Sequence, residues 1–254
     1  MNLIKDAFLG GLSLLGLPAD RAVILMYHSI GPHNGYFWNV TAGEFAKQMT
    51  YLASTKRSVI SLSELVRKLR AHEKLGGMVA ITFDDGYRDN YTNAFPILKR
   101  YGFPATIFVT TDLVGARDKR GFARLSLEEM RDMLASGLVD IQPHSKTHPK
   151  LAETSQERAR EEIVGSKRAI ETLLGIHATV FAYPYGNYNN VTQTIVRESG
   201  FEAAATVGEG TVHSGTDPYM LPRNSIDSST TMAQFRGKVS HAIDHYESLK
   251  KMFV

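Results

Sequence analysis

Eight short apolar runs recur along the chain, separated by polar, periodic segments. They are residues 22–27 (AVILMY), 58–62 (SVISL), 77–83 (GMVAITF), 105–110 (ATIFVT), 138–143 (LVDIQP), 178–184 (ATVFAYP), 201–206 (FEAAAT) and a weaker 220–226 (MLPRNSI). Most are apolar at successive positions, not alternate ones. That is how strands read when both faces of a parallel sheet are covered. The segments between them carry helix starts. Thr41 with Glu44, Ser126 with Glu129 and Thr154 with Glu157 each have capping-box spacing. Gly137 and Gly175 stand where helices close in a left-handed turn. Strand–helix alternation from end to end predicts an α/β fold, as a parallel sheet or a barrel.

Against this pattern the chemically versatile residues are not scattered. His28 follows the first run, Asp84 and Asp85 the third, and His144 the fifth. Pro184 and Tyr185 close the sixth run, and Arg223 is read as following or ending the last strand. All fall at strand C-terminal ends, where barrels and open α/β sheets place their sites.

Composition narrows the chemistry. The chain has 254 residues, 43% of them hydrophobic, enough for one sizeable core. No repeat or linker divides it. Net charge is +3 and the basic residues are dispersed, so no nucleic-acid partner is expected. There is no cysteine, so a metal site would draw on histidine and carboxylate. Residues 1–20 contain an apolar stretch, 7–17, too short to span a bilayer. They read as an N-terminal helix that docks on the fold or peripherally on a membrane, a weak signal peptide being the alternative. A cytoplasmic or membrane-peripheral location follows from the first reading, a secreted or periplasmic one from the second.

The stretch ITFDDGYRDN, 81–90, poses a specific problem: a buried strand ends in two adjacent carboxylates that repel each other. A divalent cation resolves it. Asp85 with His144 and His148 of HSKTHP (144–149) makes a three-ligand set with an open position, provided the segment turns helically to bring the imidazoles together. One acid then acts as a ligand and the other as a base. Taken alone, an Asp-Asp pair at a strand end is more often a cap. His241 and His245 have the same spacing as His144 and His148 but no strand end beside them, so they read as a solvated pair. His33, His72, His177 and His213 are read the same way.

TFDDGY (82–87) with HSKTHP, followed by FAYPYGNYN (181–189), resembles the three leading motifs of the polysaccharide deacetylases, the carbohydrate esterase 4 or NodB-like group. The resemblance covers roughly residues 20–230. It implies a single-domain distorted (β/α)7 barrel over 21–254, with its site at the C-terminal strand ends. It also implies metal-dependent hydrolysis of N-acetyl groups on an N-acetylglucosamine-containing glycan, releasing acetate. By position, Asp84 matches the catalytic base, Asp85, His144 and His148 the metal ligands, and the Tyr185 N–H an oxyanion donor. Zinc is the expected ion; cobalt or nickel suits the same donors.

Two departures matter. The third motif lacks its usual arginine, and Arg223 is the residue placed to reach the base instead. The C-terminal L-x-L-H motif is missing, whereas LMYHSI (25–30) resembles the N-terminal Y-H-x-I element of the poly-N-acetylglucosamine deacetylase branch. His28 thereby becomes the candidate general acid. Phe37, Trp38, Tyr87 and Tyr188 read first as core-packing aromatics, with sugar stacking as their alternative role. The competing readings are a deacetylase or deformylase of a lipid-linked sugar or other small amide, and a non-catalytic carbohydrate-binding relative.

Overall fold

The strands form because their side chains have apolar partners on both sides. In the computed structural model, which describes residues 20–240 and 242–244, every residue of β1 (Val23–Tyr27) is buried. The order continues β2 (Ser29–Ile30), β3 (Asn39–Val40), α1 (Ala42–Ser54), β4 (Ser58–Ile60), α2 (Leu62–Arg70), β5 (Met78–Phe83), α3 (Phe95–Tyr101), β6 (Ala105–Val109) and α4 (Leu127–Ala135). Then follow β7 (Val139–Pro143), α5 (Gln156–Leu174), β8 (Val180–Ala182), α6 (Asn190–Glu198), β9 (Ala203–Ala205), β10 (Asn224–Ser225) and α7 (Met232–Lys238). The expected helix over 1–20 lies, except for Asp20, outside the described residues, as do His241 and His245.

All strand ladders are parallel. The main one runs β10-β1-β5-β6-β7, with β4 on the first half of β5, and β8 pairs separately with β9. Two seams link the separate ladders into the outline of a distorted barrel, with no continuous strand ladder around it among the described residues. At the first, Gln142 Oε1 accepts from the N–H groups of Thr179 and Val180, both at 3.0 Å, so a β7 side chain stands in for a strand edge. At the second, Leu221 N–H donates to Ala204 and its carbonyl accepts from Thr206, tying β9 to the strand that becomes β10.

Alternation along these strands sorts the core. Leu25, Tyr27, Ile81, Phe83, Ile107 and Val109 pack with α1, α3 and α4. Ile24, Ala80, Phe108, Ala182 and Ala205 face the other way and share a cluster with Leu62, Leu65, Val66 and Leu69 of α2. Small alanines on β8 and β9 leave room for that helix. Thr41 and Ser126 form the expected capping boxes. Thr154 does not: Ser155 caps α5, accepting from Arg158 N–H, while the Thr154 hydroxyl donates back to Leu151 O. Gly175 closes α5 at φ 68°.

Candidate active site

β5 delivers the two carboxylates, and the turn after it separates them. Asp84 N–H still bonds Tyr27 O, so Asp84 belongs to the strand. Asp85 then takes φ 71° and Gly86 φ 62°. Two left-handed residues in succession reverse the chain, and the second must be glycine: a Cβ there would lie 3.1 Å from Val109 Cγ2. The strained Asp85 peptide is held by Arg124, whose guanidinium donates to Asp85 O at 2.8 Å and stacks 4.0 Å from the Tyr87 ring. The adjacent acids therefore point to different partners.

Asp84 meets Arg223. The guanidinium donates to both carboxylate oxygens, at 2.6 and 2.7 Å, and is anchored through Nε to Thr206 O. Both side chains are almost wholly buried. Burial alone would raise the Asp84 carboxyl; Arg223, followed by the nearby histidines, outweighs it and holds the group below the usual carboxylate range. Arg223 thus reaches Asp84 as expected, but from the residue just before β10 and not from the strand's C-terminal end.

Asp85 meets the histidines. Its Oδ1 lies 3.1 Å from His148 Nε2 and 3.9 Å from His144 Nε2, and the two Nε2 atoms are 3.2 Å apart. Burial opposes ionisation of Asp85, but hydrogen bonding and charge from His148 keep it far below the normal range. His144 is buried and is lowered to about 4 by desolvation, so its ring is neutral at pH 7. Its Nδ1 lies 2.8 Å from the Ala182 carbonyl and therefore carries the proton. The Nε2 lone pair is thereby turned toward Asp84, Asp85 and His148. A lone pair converging with a carboxylate and a second imidazole fits a cation between them.

The approach of the histidines is not helical. The segment after β7 is a loop with left-handed Ser145 (φ 63°) and His148 (φ 64°). Ser145 Oγ accepts from His148 N–H at 3.0 Å. Glu162 of α5, fully buried, accepts from the N–H groups of Lys146 and Thr147 and from the Thr147 hydroxyl. The expected helical turn is replaced by a loop stapled from a distant helix.

His28 and Tyr185 line the same cavity, of about 740 Å³, as Asp84, Asp85, His144 and His148. Asn90 Nδ2 donates to His28 O at 2.7 Å. Tyr185 (φ 59°) sets its exposed ring 4.5 Å from that of His148. Its N–H comes one residue before the first hydrogen bond of the turn, Gly186 N–H to Tyr183 O. Phe37, Trp38 and Tyr87 also line the cavity, whereas Tyr188 stacks on Tyr183 at 5.1 Å, packed against the α5–α6 core. Arg124, Asp118 and Glu162 were not recognisable from sequence, because their partners are distant in the chain or lie in an irregular loop.

Residues 71–204 match the family model for polysaccharide deacetylase. This chain belongs to the polysaccharide deacetylase family. It is 30% identical over 213 residues to the Bacillus subtilis protein YxkH, named as a polysaccharide deacetylase, covering 84% of this chain and 74% of that one. It is 28% identical to the poly-β-1,6-N-acetyl-D-glucosamine N-deacetylase of Staphylococcus epidermidis over 73% of this chain and 67% of that protein. Among solved structures, IcaB from Ammonifex degensii superposes with a TM-score of 0.79 at 27% identity, covering 89% of this chain and 99% of IcaB. The Streptococcus pyogenes deacetylase PplD, in complex with acetate, gives 0.79 at 27% identity, covering 88% and 100%. The enzyme is a carbohydrate deacetylase, a hydrolase of the NodB-like fold.

Proposed function

We propose that this deacetylase hydrolyses the acetamide of N-acetylglucosamine units in a poly- or oligosaccharide, with a divalent cation held by Asp85, His144 and His148. The observation that carries the reading is the His144 tautomer. With Nδ1–H committed to Ala182 O, Nε2 faces two carboxylates and another imidazole as an acceptor. A cation bound there supplies Lewis acidity toward a carbonyl oxygen and acidifies water. Zinc is the ion we assign; cobalt and nickel suit the same donors.

The chain's own groups account for the proton traffic. Asp84 is kept ionised by Arg223 and accepts a proton from the attacking water. The Tyr185 N–H donates to the developing oxyanion, a contribution of about 3–4 kcal/mol for one donor in related chemistry. His28 gives a proton to the departing nitrogen, which otherwise leaves as a strongly basic amide anion. Water and amide become acetate and a free amino sugar. Support for the substrate comes from the relative named as a poly-β-1,6-N-acetyl-D-glucosamine N-deacetylase, and from Trp38, Phe37 and Tyr87 at the cavity wall.

The test is a substrate panel. Acetate release is expected from N-acetylglucosamine oligomers, with one amine appearing per acetate. Activity confined to O-acetylated sugars such as acetylxylan would contradict the assignment.

A further inference from the structure

The chemistry at the cavity floor does not use the charges at its mouth. Between β6 and α4 the chain makes a small hairpin, with Arg117 bridged to Ala123 and Lys119 and Arg120 near its tip. Arg117, Lys119 and Arg120 are exposed and all line the cavity. Arg120 lies over the Trp38 ring at 4.8 Å, so it is held toward the opening. The carboxylates lining the same cavity are already matched: Asp84 by Arg223, Asp85 by His148, and Asp118 by Arg124. Among the described residues, none of the three hairpin cations has a carboxylate partner.

This excess has no role in the reaction. The acetamide is neutral, and every turnover on a neutral glucosamine polymer adds a positive amine, which a cationic rim repels. The arrangement suits a glycan with a fixed negative charge beside the reacting sugar. Guanidinium groups bind carboxylate and phosphate by charge-assisted hydrogen bonds, and a guanidinium stacked on an indole is held ready to do so. Resting on the N-acetylglucosamine reading above, we propose that the natural substrate carries an anionic group, carboxylate or phosphodiester, next to the N-acetylated unit, and that Arg117, Lys119 and Arg120 select for it.

The experiment compares three N-acetylglucosamine oligomers of equal length with zinc-loaded full chain. One is neutral, one has a carboxylate on the neighbouring sugar, and one has a phosphodiester there. In dilute salt at least one acidic oligomer is expected to show a KM about tenfold below the neutral one, with kcat within about threefold, the signature of uniform binding by a remote charge. The carboxylate and phosphodiester arms tell the two anions apart. Raising salt to 0.5 M should erase most of the difference, since exposed charges are then screened. Lys119→Glu and Arg117→Glu should bring the acidic-to-neutral ratio near one, and Lys119→Arg should retain it; thermal melting confirms that each folds.

Equal KM values for all three oligomers, or a preference that survives both charge reversals, would overturn the proposal. So would loss of binding to phosphatidylglycerol vesicles in Lys119→Glu with the oligomer ratio intact, because the rim would then be a membrane contact. If none of the oligomers is hydrolysed, the N-acetylglucosamine reading falls instead. Calorimetric binding of acidic against neutral oligomer to the Asp84→Asn protein then decides the rim on its own.

Discussion

Two neighbouring aspartates meet different partners because of one left-handed residue. Asp84 stays on the strand and reaches Arg223; Asp85 turns at φ 71° and reaches His148. Their proposed roles therefore separate by mutation. Asp84→Asn should lower turnover by ~10²–10⁴-fold, the range for a general base, while still binding one zinc per chain by elemental analysis. Asp85→Asn should lose zinc. The opposite pattern would mean the roles are exchanged. Asp84→Asn also leaves the buried Arg223 charge without a counter-ion, so its melting temperature should fall and metal must be counted on folded protein. His28 is the second case. If it protonates the leaving nitrogen, His28→Ala should cut turnover on an amide by ~10²–10⁴-fold and much less on an aryl acetate, whose leaving group needs no proton. Equal losses on both substrates, with zinc unchanged, would remove it from that role.

At the scale of elements, α5 fixes the histidine loop. Glu162 satisfies two backbone N–H groups and a hydroxyl from that loop while wholly buried, and Arg158 shares its charge. Glu162→Ala would leave those donors unpaired, at about 1–3 kcal/mol each. A domain of this size loses roughly 2–4 °C per kcal/mol, so calorimetry should show a fall on the order of 10 °C. Zinc affinity should drop about 10–100-fold, as for other supports of metal ligands; an unchanged affinity would mean that the loop holds its shape alone. This is also where sequence reading stopped short. His144 and His148 were legible, but the loop was expected to be helical, because Ser145 and His148 carry no glycine to announce their left-handed turns. The Ser155 cap was displaced by one residue because Thr154 and Ser155 offer the same chemistry in adjacent positions. Glu162 and Arg124 had no signal, since each works on backbone groups supplied by another segment.

For the whole molecule, the apolar runs revealed the parallel strands and the clustering of reactive residues revealed the end that carries the site. The linking of the ladders was less visible. One seam depends on the side chain of Gln142 and the other on single bonds around Leu221, neither of which has a strand pattern. That linking places Arg223 of the last run against Asp84 of the third, a separation of 139 residues. It also brings Ala182 of β8 to His144 after β7, so the tautomer that opens Nε2 to the site depends on the first seam. The central claim, that these converging groups make a metal-dependent N-deacetylase, is tested most directly by acetate release from N-acetylglucosamine oligomers before and after chelation, with bound metal counted on the same sample. The expected result is one divalent ion per chain, loss of acetate release when it is stripped, and recovery on adding zinc or cobalt. Full acetate release from protein containing no metal would contradict it.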